Sequence, residues 1–258
     1  MTEHIAFTRD GSIATVTLNR PDRLNALTDA MRDRISELFL DMARDDDIRA
    51  IILNAAGRGF CASGDVTNMG NFTAVSGRHR LKSAHRMILA IANIEKPVIA
   101  AVRGPVAGIG WSMALACDMI VASETAVFSQ VFRNVGLVPD GGAIYFLSQV
   151  LGVLKAKELV YTARRMPAEE ANQLGLVTRL VADDDLDESA LELAREIAAG
   201  PTFAFGIAKK MFKSMRTPTL ETALDAEAWA QGLALMTEDH GEGARAFKEK
   251  RKPAFRAQ

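Results

Sequence analysis

Apolar and polar positions first alternate at Ser12–Leu18 (SIATVTL), where Ala14, Val16 and Leu18 share one face. A period of two predicts a half-buried strand. The loop NRPDRLNAL follows, and its Pro21 excludes helix. Thr28 offers an N-cap, and from there the period lengthens: Met31, Ile35, Leu38 and Met42 form the stripe of an amphipathic helix. After Asp45–Asp47, the run Ala50–Leu53 (AIIL) has the continuous apolarity of a strand covered on both faces. The loop GRGFCASGD comes next, and Gly70–Gly77 reads as a mobile polar connection. Leu81, Ala84, Ile88 and Ile91 mark a helix closed by Lys96-Pro97.

Val98–Val102 is the next strand, followed by a turn spaced by Gly104, Gly108 and Gly110 and a small-residue helix over Gly110–Cys117. Short strands are predicted at Met119–Ala122 and Ala126–Phe128, and GLVPDGG opens a helix over Ala143–Leu151. Helices follow at Glu158–Ala163 and Ala168–Leu174, the latter ended by Gly175 in the usual position. A last strand falls in Leu176–Val181, and Leu186–Ala199, Phe203–Met215, Leu220–Met236 and Gly243–Lys250 read as helices. Alternating strands and helices followed by helices alone predict an α/β core, residues 1–198, with a helical appendage, residues 199–258.

Composition narrows the function classes. Lys and Arg total 31 against 32 Asp and Glu, a balance that gives no electrostatic footprint for nucleic acid or a membrane surface. Cys61 and Cys117 are the only cysteines, too few for a disulfide framework or a metal-ligand pattern. No apolar run approaches the roughly 20 residues that span a bilayer. MTEHIAFTRDGS lacks the basic and apolar regions of a signal peptide, so a cytoplasmic protein is expected.

The chemistry concentrates at Ile99–Met119, where a buried strand passes through a glycine loop into a helix. The first N–H groups of such a helix lack intrahelical partners and sit at the positive end of its dipole. They suit a phosphate or the oxyanion of a thioester enolate. Together with NRPDRLNAL, GRGFCASGD, GLVPDGG, Ala171–Val177 and EGARAFKEKRKPAF, this stretch resembles the crotonase superfamily, the enoyl-CoA hydratase/isomerase group, over essentially the whole chain. The resemblance implies a crotonase-like spiral of ββα units with a C-terminal helical trimerisation region, assembled as a homotrimer or a dimer of trimers. It also implies an acyl-CoA thioester as substrate, with coenzyme A as part of that substrate and no separate cofactor or metal.

By the same resemblance, the amides of Gly64 and Ile109 form the oxyanion hole. The second position usually carries glycine, so Ile109 narrows the acyl pocket while leaving a main-chain donor in place. Hydratases of the group carry two glutamates, at the positions of Ser112 and Phe132 here. Neither residue can move a proton at neutral pH. Asp140 in VPDGG instead matches the loop aspartate of family isomerases, including those acting on ring-type phenylacetyl-CoA epoxides, and the nucleophile of aromatic-acyl-CoA dehalogenases. A carboxylate between the α- and γ-carbons can carry a proton from one to the other if desolvation raises its pKa. Leu137, Val138, Pro139 and Phe132 are the expected apolar wall. Two blander roles stand beside these: Asp140 as the N-cap of a helix starting at Gly141, and His79 and His85 as surface or packing residues.

The resemblance places the CoA along Arg23, Leu24 and Ala26, along Ala62, Ser63 and Asp65, and against Gly108, with Phe247 and Lys250 near the adenine. For Lys250 the alternative is a solvated charge, and for Asp65 a loop brace. Phe72, Val75, Met87, Phe132 and Tyr145 are candidate acyl-pocket residues. A serine-hydrolase elbow at Gly110–Ala114 fits poorly, because Gly104–Gly110 separates it from its strand. The expected activity is therefore an isomerase that moves a double bond or opens a ring next to a thioester, with a hydratase as the runner-up and a non-catalytic acyl-CoA-binding relative as a further competitor.

Overall fold

The computed structural model describes residues 4–67, 73–214 and 219–257. The chain runs β1 (Ile5–Asp10), β2 (Ile13–Leu18), α1 (Asp29–Arg44), β3 (Ala50–Ala55), α2 (Ala74–Asn93), β4 (Val98–Val102), β5 (Pro105–Ala107), α3 (Ile109–Ala116), β6 (Met119–Ser123) and β7 (Val127–Ser129). It continues through α4 (Ala143–Thr162), β8 (Met166–Pro167), α5 (Ala168–Gln173), β9 (Arg179–Val181), α6 (Leu186–Ala198), α7 (Thr202–Ser214), α8 (Leu220–Ala234) and α9 (Glu238–Glu249).

A six-stranded sheet has the order β1-β2-β3-β4-β6-β9, and a small one the order β5-β7-β8. Every pair in the large sheet is parallel except β1 with β2. Side chains of one strand alternate between the two faces. Ala14, Val16 and Leu18, Ile51 and Leu53, and Val98, Ala100 and Val102 therefore join the core under α1–α3. Ile13, Ala50, Ile52, Ile99 and Ala101 meet Leu186, Ala190, Leu193 and Ala194 of α6 on the other side. Burial on both faces explains why β3 and β4 read as unbroken apolar runs.

The Thr28 side chain caps α1 by accepting the Met31 N–H at 3.2 Å, and the predicted stripe is buried throughout. Each such residue contributes about 1.5–3 kcal/mol of burial. Several elements differ from the sequence reading. β1 escaped it because only Ile5 is buried and the remainder of this edge strand faces outward, leaving no alternation to detect. β5 lies inside the glycine-spaced turn. Helix α2 starts at Ala74 under a capping box between Thr73 and Ser76, so the second half of the expected connection at Gly70–Gly77 is helical, while residues 70–72 lie outside the described residues. The two helices predicted at Ala143–Leu151 and Glu158–Ala163 run together as α4, interrupted only at Gly152 (φ 74°, ψ 159°).

Candidate active site

Two segments lie in parallel register at the mouth of α3. Cys61 N–H donates to Pro105 O at 3.0 Å and Ala107 N–H to Cys61 O at 2.8 Å, pairing Cys61 with Val106. The approach leaves no room for a methyl group: a Cβ on Gly108 would lie 2.2 Å from Ser63 Oγ, and one on Gly110 2.6 Å from Cys61 Cβ. Gly108 also has φ +50°, a conformation that L side chains rarely adopt.

A second bridge joins Leu27 to the Gly64 segment. Leu27 N–H donates to Ser63 O and Asp65 N–H to Leu27 O, both at 2.9 Å. The bridge uses the neighbours of Gly64 and leaves the Gly64 N–H with no acceptor among the described residues. Ile109 opens α3, where an N–H has no intrahelical acceptor, and the first such bond is Ser112 N–H to Gly108 O at 3.1 Å. Two uncommitted amides thus stand on adjacent segments, one at a helix N-terminus. Ser63, between the two bridges, is held at φ 101°. Backbone strain of this kind costs about 1–3 kcal/mol and clusters at functional sites.

Asp140 lies on the turn before α4, packed against α3. Its carbonyl accepts the Ser112 O–H at 2.9 Å, and a Cβ on Gly141 would touch Ser112 Cβ at 2.8 Å and Ile109 Cγ1 at 3.2 Å. Its carboxyl Oδ1 is sealed from solvent and has no partner among the described residues. Burial pushes the Asp140 pKa up, while Arg32, His85 and Arg80 pull it back towards the ionised form. The capping role fails: α4 begins at Ala143, its N-cap is Gly142, and no side chain caps it. The apolar wall is also different from the one expected. Leu137 and Val138 are 51% and 76% exposed, because the loop between left-handed Gly136 and Gly141 runs along the surface. Phe132 is buried and Pro139 half-buried.

Ser112 is fully buried, its hydroxyl directed at the carbonyls of Asp140 and, at 3.3 Å, Gly108. It bonds to no histidine among the described residues, and β5 intervenes between β4 and α3. Neither feature is compatible with a nucleophile elbow.

The CoA segments expected from the resemblance do come together. Ala62 N–H donates to Leu24 O at 2.9 Å, and Arg20 Nη1 donates to Ala26 O at 3.0 Å and to Asp65 Oδ2 at 2.5 Å. Asp65 also accepts the Thr67 N–H at 2.8 Å, and these donors hold its carboxyl well below the usual range. It braces the loop. Leu24 and Asn25 are both left-handed (φ 47° and 55°), a conformation secured by Asn25 Nδ2 donating to Ala56 O and Gly59 O at 2.9 and 2.8 Å. Arg23 is exposed beside Asp22. Phe247 and Lys250 are exposed on and just beyond α9, without a hydrogen bond or ion pair to these loops.

Among the acyl-pocket candidates, Met87 is buried in the core, Val75 is exposed, and Phe72 lies outside the described residues. Tyr145, with His85 and Gly141, lines a cleft of about 910 Å³ between α2, α4 and α7. Sequence reasoning missed Arg20 and above all Arg32. Arg32 is 2% exposed, and its Nη2 lies 3.3 Å from where a Gly64 Cβ would stand. An arginine inside the α1 apolar stripe was the available signal.

The α/β core thus carries, near one another in the fold, two main-chain N–H groups without acceptors among the described residues and a buried carboxyl Oδ1 without a partner among them. Residues 8–258 match the enoyl-CoA hydratase/isomerase family, and the chain belongs to that family. It is 37% identical to the 1,2-epoxyphenylacetyl-CoA isomerase of Escherichia coli over 259 residues, 99% of both chains. It is 33% identical to the short-chain-enoyl-CoA hydratase of Clostridium acetobutylicum over 96% of both. The crystal structure of enoyl-CoA hydratase from Bacillus anthracis superposes with a TM-score of 0.95 at 31% identity, covering 99% of this chain and 100% of that one. No helix among the described residues is long and apolar enough to cross a membrane.

Proposed function

We propose that the protein is an acyl-CoA isomerase that shifts a double bond, or opens a ring epoxide, next to the thioester. One observation carries the reading. Asp140, tied to α3 through the Ser112 hydroxyl, keeps a buried carboxyl Oδ1 with no partner among the described residues, while Ser112 and Phe132 stand where, by the resemblance, a hydratase needs carboxylates. In the reaction, ionised Asp140 takes a proton from the substrate α- or γ-carbon. Negative charge moves to the thioester oxygen, where the amides of Gly64 and Ile109 receive it. Protonated Asp140 then returns the proton to the other carbon. The shift is redox-neutral and the oxyanion is held by N–H groups, so this reading requires neither metal nor redox cofactor.

In this reading the braced loops 23–26 and 62–65 clasp the CoA. Phe247 and Lys250 reach an adenine across a subunit boundary in a trimer or hexamer, a state that light scattering measures. The identity to an epoxyphenylacetyl-CoA isomerase supports a ring-bearing acyl group.

The test assays wild type and Asp140→Asn with 3-enoyl-, crotonyl- and epoxyphenylacetyl-CoA. Isomerisation by wild type and its loss in the variant are expected. Efficient hydration of crotonyl-CoA would replace the reading with the hydratase one. CoA binding without turnover of any of them would make the chain a binding relative.

A further inference from the structure

Arg32 has no place in the chemistry above, yet it is the most deeply buried basic residue facing the site. Arg32 Nη1 pairs with Asp29 Oδ1 at 2.7 Å and Nη2 lies 3.4 Å from Leu27 O, while Nε is buried with no partner among the described residues. Asp29 is itself 65% exposed, so the pair is only half desolvated. Burying a cation with incomplete pairing is costly. Arg80 compounds the cost: its Nη2 lies as near to the Gly64 Cβ position, 3.3 Å, as that of Arg32. Two guanidinium groups therefore converge on the residue whose amide receives the oxyanion.

We propose that Arg32 is the fixed countercharge of this site, a positioning residue that faces both places the negative charge occupies in turn: the Asp140 carboxylate before proton transfer and the thioester oxygen at Gly64 after it. The inference rests on the isomerase reading. In the forward step a C–H bond of the substrate breaks, the proton goes to Asp140, and the electron pair passes through the enolate to oxygen. Total charge is unchanged; only its position moves. A rigid cation near both positions stabilises the ion at each without reorganising, which in a poorly solvated site is worth more than in water.

Other groups face Asp140 as well. Arg80 and His85 of α2 act in the same direction as Arg32, though less strongly in the case of Arg80 and His85 than Arg32. Ser112 of α3 donates to the Asp140 carbonyl. The Cys61 thiol beside Arg32 is pushed up to about 12 by burial and stays neutral.

The experiment measures the pH dependence of kcat for isomerisation by wild type, Arg32→Met, Arg32→Lys and Asp140→Asn, each first checked for native circular dichroism and cooperative melting. In Arg32→Met the acid limb moves to higher pH and the plateau falls roughly tenfold, less than the ~10²–10³-fold cost of losing a direct oxyanion donor. Arg32→Lys, which keeps the charge, restores most of the limb position. A limb that stays put in a folded Arg32→Met overturns the inference, as does a Lys variant no better than Met. If neither Arg32 variant folds, Arg80→Met carries the same test: an unmoved limb there also overturns it. Activity surviving in Asp140→Asn would instead remove the isomerase reading itself.

Discussion

The two halves of this site are built from different parts of the chain's chemistry. The Gly64–Ile109 half is main chain: a parallel register from Cys61 and Val106, two glycines that permit close approach, and two amides with no acceptor among the described residues. Its donors survive almost any side chain, which is why isoleucine is tolerated at a position where glycine is usual. The Asp140 half is side chain, with a carboxyl, a hydroxyl under its turn and a guanidinium across from it. The first half supplies what every thioester enolate needs. In the proposed reading the second decides which carbon is protonated; relatives of the chain are named both isomerase and hydratase.

The sharpest way to test this division is Asp140→Asn. It removes the only group proposed to move the proton while leaving both amides in place. Isomerase activity should fall about 10³-fold, within the range general acid–base groups contribute, with little change in KM for the thioester. In wild type, burial raises the Asp140 pKa, so the active, ionised form accumulates only above the usual carboxylate range. Activity should rise with pH through that raised value and then level off. An acid limb at the ordinary carboxylate pKa would mean that solvent reaches the carboxyl.

Gly110→Ala attacks the other half. In a helix alanine is favoured over glycine by about 1 kcal/mol, yet here its Cβ would meet Cys61 Cβ at 2.6 Å and Cys61 O at 2.8 Å. The two segments must separate, with a net loss of about 1–3 kcal/mol of stability. Activity should drop roughly 10²-fold as one amide leaves its place. A variant that melts at wild-type temperature with full activity would show that the register is looser than these contacts require.

How much of this was legible beforehand divides along the same line. Of the amide half, the strand, glycine turn and helix start left a local trace in sequence, whereas Gly64 and Ile109 came only from the family resemblance. Asp140 was legible as a residue, and its surroundings were not. Leu137 and Val138, apolar neighbours in sequence, lie exposed, whereas Arg32 lies more than a hundred residues earlier, and only the packing of α1 against the site loops brings it near. The edge strand β1 was silent because only Ile5 of it is buried, and β5 because three residues are too few for a periodic pattern.

Ser112→Ala should have a smaller effect. It deletes the 2.9 Å hydrogen bond to the Asp140 carbonyl, worth about 0.5–1.5 kcal/mol, so kcat should fall roughly two- to tenfold. Ser112→Thr, if the added methyl is accommodated, should recover it. Equal losses in kcat for Ala and Asp140→Asn would mean that the hydroxyl is itself part of the chemistry.

The mildest change tests whether the main-chain half depends on a side chain at a distance. Asp65 accepts from Arg20 and Thr67 and braces the loop that carries Gly64. Its folded pKa is depressed, so its contribution to stability is present above the unfolded value, about 3.9, and lost as pH falls towards the folded one. Asp65→Asn should therefore melt below wild type at pH 7, and the gap should close as the pH is lowered below about 4. Because the group borders solvent, the gap should be small and should shrink in high salt. Turnover should change least of all the variants, since Leu27 and Cys61 still hold Gly64 in register through backbone bonds. A melting gap that is the same at pH 3 and pH 7 would show that the Asp65 charge contributes nothing to the brace.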